Sequence, residues 1–267
     1  MPKKGLARYL SLITNIENYT EYFFNKSKRH QRSLTFNTKP NVINFNVPES
    51  LYQVFKEIFM ADVYNIKSLI KKLPDKATII DIGANAGFFD IILLSKNINA
   101  TIYAFEPLES NVALFTKTIQ ANPQIASQII LSQKAVTGQE QPFLELFAED
   151  TADNSVVASA FSNFDKRNTR KIIVNCISLT QIMLENKLEK IDLLKLDCEG
   201  SEYDILYNTA PDLIKKINYL AIEVHDLDNE KCNITALNTY LQELGYVTSY
   251  SPINQFCYSF DAERIEK

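Results

Sequence analysis

Two stretches of the sequence place charged residues where a buried strand should end. In "LKLDCEGSE", 194–202, Lys195, Asp197 and Glu199 alternate with smaller or apolar neighbours. Strand geometry sends those three to one side and Leu194 and Leu196 to the other. Charged groups leaving a buried strand cost free energy unless they pair or face a cleft. In "IEVHD", 222–226, an apolar run ends in Glu223, His225 and Asp226. Imidazole titrates near neutral pH and suits general-base work. Carboxylates can orient a hydroxyl, accept its proton, or hold a hard cation such as Mg²⁺. Asp197, His225 and Lys195 are therefore the candidate catalytic residues. Direct base catalysis by Asp197 or His225, and a divalent ion on Asp197 with Glu223 or Asp226, stay open as alternatives, and no metal ligand set is assigned. The same residues also read as a Lys195–carboxylate ion pair, a Glu202 that suits a helix N-terminus, and a satisfied core histidine.

A second constellation lies upstream. "TIIDIGANAGFFD", 78–90, runs from an apolar strand through Asp81, Gly83, Ala84, Asn85 and Gly87 into an apolar segment, in a chain with only 6 glycines. Glycine permits the tight turn and the close approach of a neighbour, and Asn adopts left-handed backbone more readily than most residues. The next strand ends in "AFEP". A carboxylate at that position, Glu106, can accept hydrogen bonds from both hydroxyls of a ribose. Turn and acid together describe a nucleoside-binding cleft. A dinucleotide fingerprint needs G-x-G-x-x-G, whereas here position 85 is Asn and no basic residue follows Glu106 directly. A ribose and adenine without a pyrophosphate fit better, as in S-adenosylmethionine.

These groups need an alternating frame to position them. Strands are expected at 78–82, 101–105, 127–136, 191–197 and 217–225, with helices at 87–96, 109–121, 178–187, 200–208 and 232–244. Unbroken apolar strands such as "IDLLKL" suit a parallel sheet buried on both faces. The expected fold is α/β, with a doubly wound, mostly parallel sheet. Two further strands, 143–148 and 170–176, read as an antiparallel pair inserted beside the cleft around a polar loop, 149–169. Residues 245–252 and 255–261 read as an antiparallel terminal hairpin at the sheet edge. Before the turn, 36–50 suggests one or two short strands, and 48–73 has the spacing of two helices.

Composition sets bounds. The length of 267 residues, with 46% hydrophobic and 22% charged residues, suits one large domain with a full core. A net charge of −4 gives no overall attraction to nucleic acid or anionic membrane. Four separated cysteines read as free thiols in a reducing compartment. Two histidines are too few for a His-rich metal site. The N-terminus reads as a helix rather than a signal peptide. No apolar run approaches the ~18 residues of a membrane span, so the expected location is the cytoplasm. The basic cluster "KSKRHQR", 26–32, reads as a solvated connector or as a surface for an acidic partner.

"IIDIGANAGFFDIILLSK", "IYAFEPLESNVALFTKTIQAN", "LLKLDCEGSEYDIL" and "LAIEVH" resemble the successive blocks of the FkbM-type methyltransferases, over roughly 78–250. The resemblance implies a Rossmann-like class I methyltransferase fold, S-adenosylmethionine as cofactor, and O-methylation of a hydroxyl on a sugar or secondary metabolite. It places Asp81, Gly83, Ala84, Asn85 and Gly87 around the methionine end of the cofactor, Glu106 on the ribose, and Lys134-Ala135-Val136 along the adenine. Tyr64 is a candidate to cover the cofactor carboxylate or else a core tyrosine. The implied division is an N-terminal extension, 1–50, and a methyltransferase domain, 51–267, with an insertion at about 142–179. The implied partner is a small-molecule or glycan acceptor, with no nucleic acid and no stable membrane insertion. A nicotinamide-dependent oxidoreductase and a non-catalytic nucleoside-binding module are the competing readings.

Overall fold

The computed structural model describes residues 2–26, 33–149, 158–161 and 168–265. All of the basic cluster except Lys26, and most of the polar loop in the insertion, lie outside the described residues. After helices Leu6–Asn15 and Thr20–Lys26, strands β1 (Leu34–Asn37) and β2 (Asn44–Val47) pair antiparallel. The expected pair of helices over 48–73 takes a less regular form. A 3₁₀ turn, an α-turn (Tyr52–Phe55) and a π-helical turn (Lys56–Ala61) run on from one another until Asp62 adopts φ 54°, and a short helix, Ile66–Ile70, follows. A π-helical turn shifts the side chains that follow it around the axis, and such turns are frequent at functional sites.

The frame is a seven-stranded sheet. Its members are β3 (Ala77–Ile82), β4 (Ala100–Phe105), β5 (Ile129–Ser132), β10 (Leu193–Leu196), β11 (Tyr219–His225), β12 (Tyr246–Pro252) and β13 (Cys257–Arg264). Their spatial order is β12-β13-β11-β10-β3-β4-β5. Strands β5, β4, β3, β10 and β11 are mutually parallel, and β13 lies antiparallel to both β11 and β12. The terminal hairpin thus sits where the sequence implied, with its second strand on the inside. Strand alternation feeds two cores. Ile79 and Leu193 belong to one, and Ile80, Ile82, Leu194 and Leu196 to the other.

The stretch expected as one strand at 127–136 divides. β5 stays in the main sheet, while β6 (Ala135–Thr137) leaves it and pairs parallel with β9 (Asn168–Ser178). The chain changes sheets at Gln133-Lys134, where two long polar side chains interrupt the apolar run. β9 also pairs antiparallel with β7 (Phe143–Glu149), which is flanked by the two-residue β8 (Ala158–Ser159). The insertion is therefore part of a four-stranded sheet rather than a lone strand pair. The N-terminal segment packs into the first core: Leu12, Phe36, Phe45, Phe55 and Phe59 share a cluster with Ile79 and Phe88. Phe36 stacks on Phe55 at 4.5 Å and Phe45 on Phe59 at 5.0 Å between ring centroids. Among the described residues, no helix is long and apolar enough to cross a membrane.

Candidate active site

A cavity opens at the carboxyl ends of β3, β4, β10 and β11, where an open α/β sheet places its ligands. Ile82, Gly83 and Asn85 form its floor. Phe105, Glu106, Leu108, Ala135 and Val136 form one end, and Leu144, Leu146 and Ala158 bring the insertion to its rim. Asn85 takes the left-handed conformation (φ 50°), which turns its backbone N–H onto the Glu106 carboxylate at 2.9 Å. The Leu108 N–H donates to the other oxygen of Glu106 at 2.9 Å. Burial drives the Glu106 carboxyl up to about 7, against the pull of the Leu108 and Asn85 amides. Glu106 is thus an oriented acceptor with little water around it, facing the cavity beside an apolar wall.

The two glycines of the turn have different partners. A Cβ on Gly83 (φ 78°) would stand 1.9 Å from the backbone carbonyl oxygen of Asp197. One on Gly87 (φ 76°) would stand 2.2 Å from the Phe115 ring. Both glycines let other parts of the protein come close; of the two, Gly83 borders the cavity. Ala84 is buried.

The far end of the cavity is acidic. Glu57, Asp197, Glu199 and Glu223 all line it. Glu57 is a residue that the sequence did not single out. It sits in the π-helical turn and accepts a hydrogen bond from Gln53. Burial raises its carboxyl, Gln53 lowers it, and Glu223 and Asp197 raise it further, to about 7. Glu199 adopts left-handed backbone at φ 51°, rare and strained for a residue with a Cβ. Burial raises it, His225 draws it down, and Asp197 and Glu223 raise it again, to about 8. Asp226, expected on this side, instead accepts from the Ile234 N–H at 2.8 Å and lines a separate surface pocket.

Behind the wall, Lys195 and Asp81 face each other across β10 and β3 with their charged atoms 2.9 Å apart. Asp81 is wholly buried and Lys195 is 3% exposed, so the ion-pair reading of Lys195 describes their arrangement. Lys195 also donates to the Gly83 carbonyl at 2.8 Å and lies 3.6 Å from Asp197. Burial pulls its ammonium down, and Asp81 and Asp197 more than offset this, so it stays charged. Asp90 lies in the same dry region, and burial followed by the Asp81 charge holds its carboxyl well above the usual range. Tyr64 donates its hydroxyl to Asp197 at 2.8 Å and packs edge-on to Phe89. Tyr64 and Lys195 therefore both fix the Asp197 carboxylate.

His225 lies among three carboxylates. Its Nδ1 is 3.3 Å from Glu202, and its Nε2 is 3.5 Å from Glu199 and 3.6 Å from Glu223. Burial alone would lower the imidazole; contacts with Cys257, Glu202 and Glu223 overcome it and raise the group above its ordinary value. The cavity lining includes Glu199 and Glu223, which His225 contacts, but not His225 itself.

A family model described as the methyltransferase FkbM domain matches residues 81–248. The chain belongs to the FkbM methyltransferase family. Its mostly parallel sheet with an antiparallel hairpin is the class I methyltransferase fold. This FkbM chain is 26% identical over 219 residues to the AMB antimetabolite synthetase AmbE of Pseudomonas aeruginosa, which covers 69% of the chain but 10% of that much longer protein. Two fungal relatives align over most of their length. Methyltransferase 1 of Beauveria bassiana is 24% identical over 73% of the chain, and Methyltransferase sdnD of Sordaria araneosa is 26% identical over 72%; each is covered to 81%. Among solved structures, an FkbM methyltransferase from Methylobacillus flagellatus aligns with a TM-score of 0.48 and 13% identity, over 80% of this chain and 60% of that one.

Proposed function

We propose that this FkbM methyltransferase uses S-adenosylmethionine to methylate a hydroxyl of a small-molecule acceptor, a sugar or a secondary metabolite. The observation that carries this reading is the division of one cavity into two chemically different ends. At one end, Glu106 is a desolvated acceptor for a ribose diol, flanked by Phe105, Leu108, Ala135 and Val136 for the adenine. Gly83 and Asn85 border the same cavity, next to the space assigned to the methionine part. The residues present fit the cofactor, whose sulfonium supplies an electrophilic methyl group with a neutral leaving group. The other end presents carboxylates, which suit an acceptor that must lose a proton.

Asp197, held by Tyr64 and Lys195, accepts a hydrogen bond from the acceptor hydroxyl and aims its oxygen. Glu57, with a carboxyl at about 7, takes the proton near neutral pH. Lys195 and Tyr64 act through Asp197 as positioning residues. That AmbE is an antimetabolite synthetase agrees with a small-molecule acceptor. The test is calorimetry with S-adenosylmethionine on wild type and Glu106→Ala. Loss of the carboxylate should weaken binding by about 1.5–3 kcal/mol per hydrogen bond. Unchanged affinity in a folded variant would sink the ribose assignment. A mass-spectrometric search for a methyl increment across small-molecule extracts then identifies the acceptor.

A further inference from the structure

We propose that Glu223, His225 and Cys257 form a binding site for a divalent transition-metal ion of the zinc class. The sheet builds the site. Glu223 and His225 lie two residues apart on β11 and so share a face, and the antiparallel register sets Cys257 of β13 directly opposite His225. One donor atom from each residue lies within 4.8 Å of the other two. Glu223 Oε1 is 3.1 Å from Cys257 Sγ and 3.6 Å from His225 Nε2. Zinc bonds of about 2.3 Å to sulfur and about 2.0–2.2 Å to nitrogen and oxygen put tetrahedral donors about 3.4–3.6 Å apart. The two distances from Glu223 are already near those spacings, and the thiol and imidazole donors lie within 4.8 Å of each other.

The donor chemistry selects the ion. One thiolate, one imidazole and one carboxylate suit Zn²⁺ or Co²⁺, whereas Mg²⁺ and Ca²⁺ prefer oxygen alone. An outer partner is in place as well. Glu202 is wholly buried, and its carboxylate is fixed by the backbone N–H groups of His225 and Gly200, each at 2.8 Å. It faces Nδ1, which leaves Nε2 turned toward the donor cluster; a carboxylate on the far nitrogen is the usual support of a metal-bound histidine. A metal takes the thiolate and the neutral imidazole, so binding is expected to release protons. Because Glu223 also lines the acidic end of the cavity, a bound ion would fix one wall of the acceptor site.

The site can be read without turnover. The full chain, stripped with a chelator, is titrated with Co²⁺ as the probe. The expected result is one equivalent bound, with a thiolate-to-cobalt charge-transfer band that Zn²⁺ abolishes by competition. Cys257→Ser should remove the band, and Cys176→Ser, on β9, should leave it intact. Glu202→Gln should weaken binding about 10–100-fold through the histidine. X-ray absorption on the zinc-loaded wild type should show one sulfur at about 2.3 Å, which keeps the test intact should Cys257→Ser fold poorly. Absence of a charge-transfer band in the wild type, its persistence in Cys257→Ser, or a zinc shell without sulfur overturns the proposal.

Discussion

Asp81, Asp90 and Lys195 confine three ionisable groups to a dry region beside the cavity, and their charges must balance there. Asp81→Asn removes the 2.9 Å partner of a buried ammonium, a change worth about 3–5 kcal/mol; urea unfolding should show it as a lowered midpoint at constant slope. Asp90 behaves differently. Its folded carboxyl lies well above 3.8, so it keeps a proton that the unfolded chain gives up. Its contribution to stability is full below 3.8 and is lost as pH rises through the folded value. Asp90→Asn keeps the shape and cannot ionise, so it should fall within about 1 kcal/mol of wild type and flatten the decline of stability as pH rises above 3.8. Glu57 supplies a kinetic counterpart. As a proton acceptor at about 7, it should make kcat fall as pH drops below that value. Glu57→Gln and Asp197→Asn should each cost about 10²–10⁴ in kcat with cofactor affinity nearly unchanged; full activity in Glu57→Gln would retire it as the proton acceptor, and full activity in Asp197→Asn would retire it as the group that aims the hydroxyl. The carboxylate at 106 and the charged strand ends are legible in the sequence because a strand end is a local pattern. Glu57 is not, since "FKEIFMADV" reads as an ordinary helix face until the π-helical turn and the fold bring it to the cavity.

At the scale of elements, the glycine turn between β3 and the helix Phe88–Leu94 shows where local reading stops. Spacing and residue type announce a strand turning into a helix, and that is what forms. The object that forbids a side chain at Gly87 is Phe115, on the following helix, and no local pattern reveals it. Gly87→Ala must hold φ near 76° and displace that ring, so a loss of more than about 1 kcal/mol is expected. Adding Phe115→Leu should give a non-additive recovery in a double-mutant cycle, since the two residues touch. Simple additivity would mean that backbone strain, rather than the ring, dominates. The departure of β6 from the expected strand at 127–136 has a similar origin. An apolar run records burial, and both sheets supply it, so the run alone does not say which sheet accepts each half.

Across the whole molecule, the N-terminal segment and the sheet share one core. Phe45 lies between Phe55, Phe59 and Phe88 and is 1% exposed. Phe45→Ala should therefore destabilise by about 3–5 kcal/mol, read as a fall in melting temperature of the entire protein; a small early transition with the main one unmoved would instead mark a separately folding segment. The position of β13 has a different kind of consequence. It follows β12 in the chain yet lies between β12 and β11, so the sheet cannot close by adding strands in chain order. Pairing between β12 and β13 is local, whereas pairing between β13 and β11 spans more sequence, and loop closure favours the local contact first. The hairpin then docks along β11 as one body, and a single sliding coordinate decides the outcome. A slip of one residue would turn Phe260 away from the core. A slip of two would keep Phe260 inside but move Cys257 out of line with His225. The second error preserves the greasy side of the hairpin, so polar contacts across the seam distinguish the correct alignment from this competitor, among them Cys257 with Glu223, Glu263 with Lys72, and the Arg264 N–H with the Asn218 carbonyl.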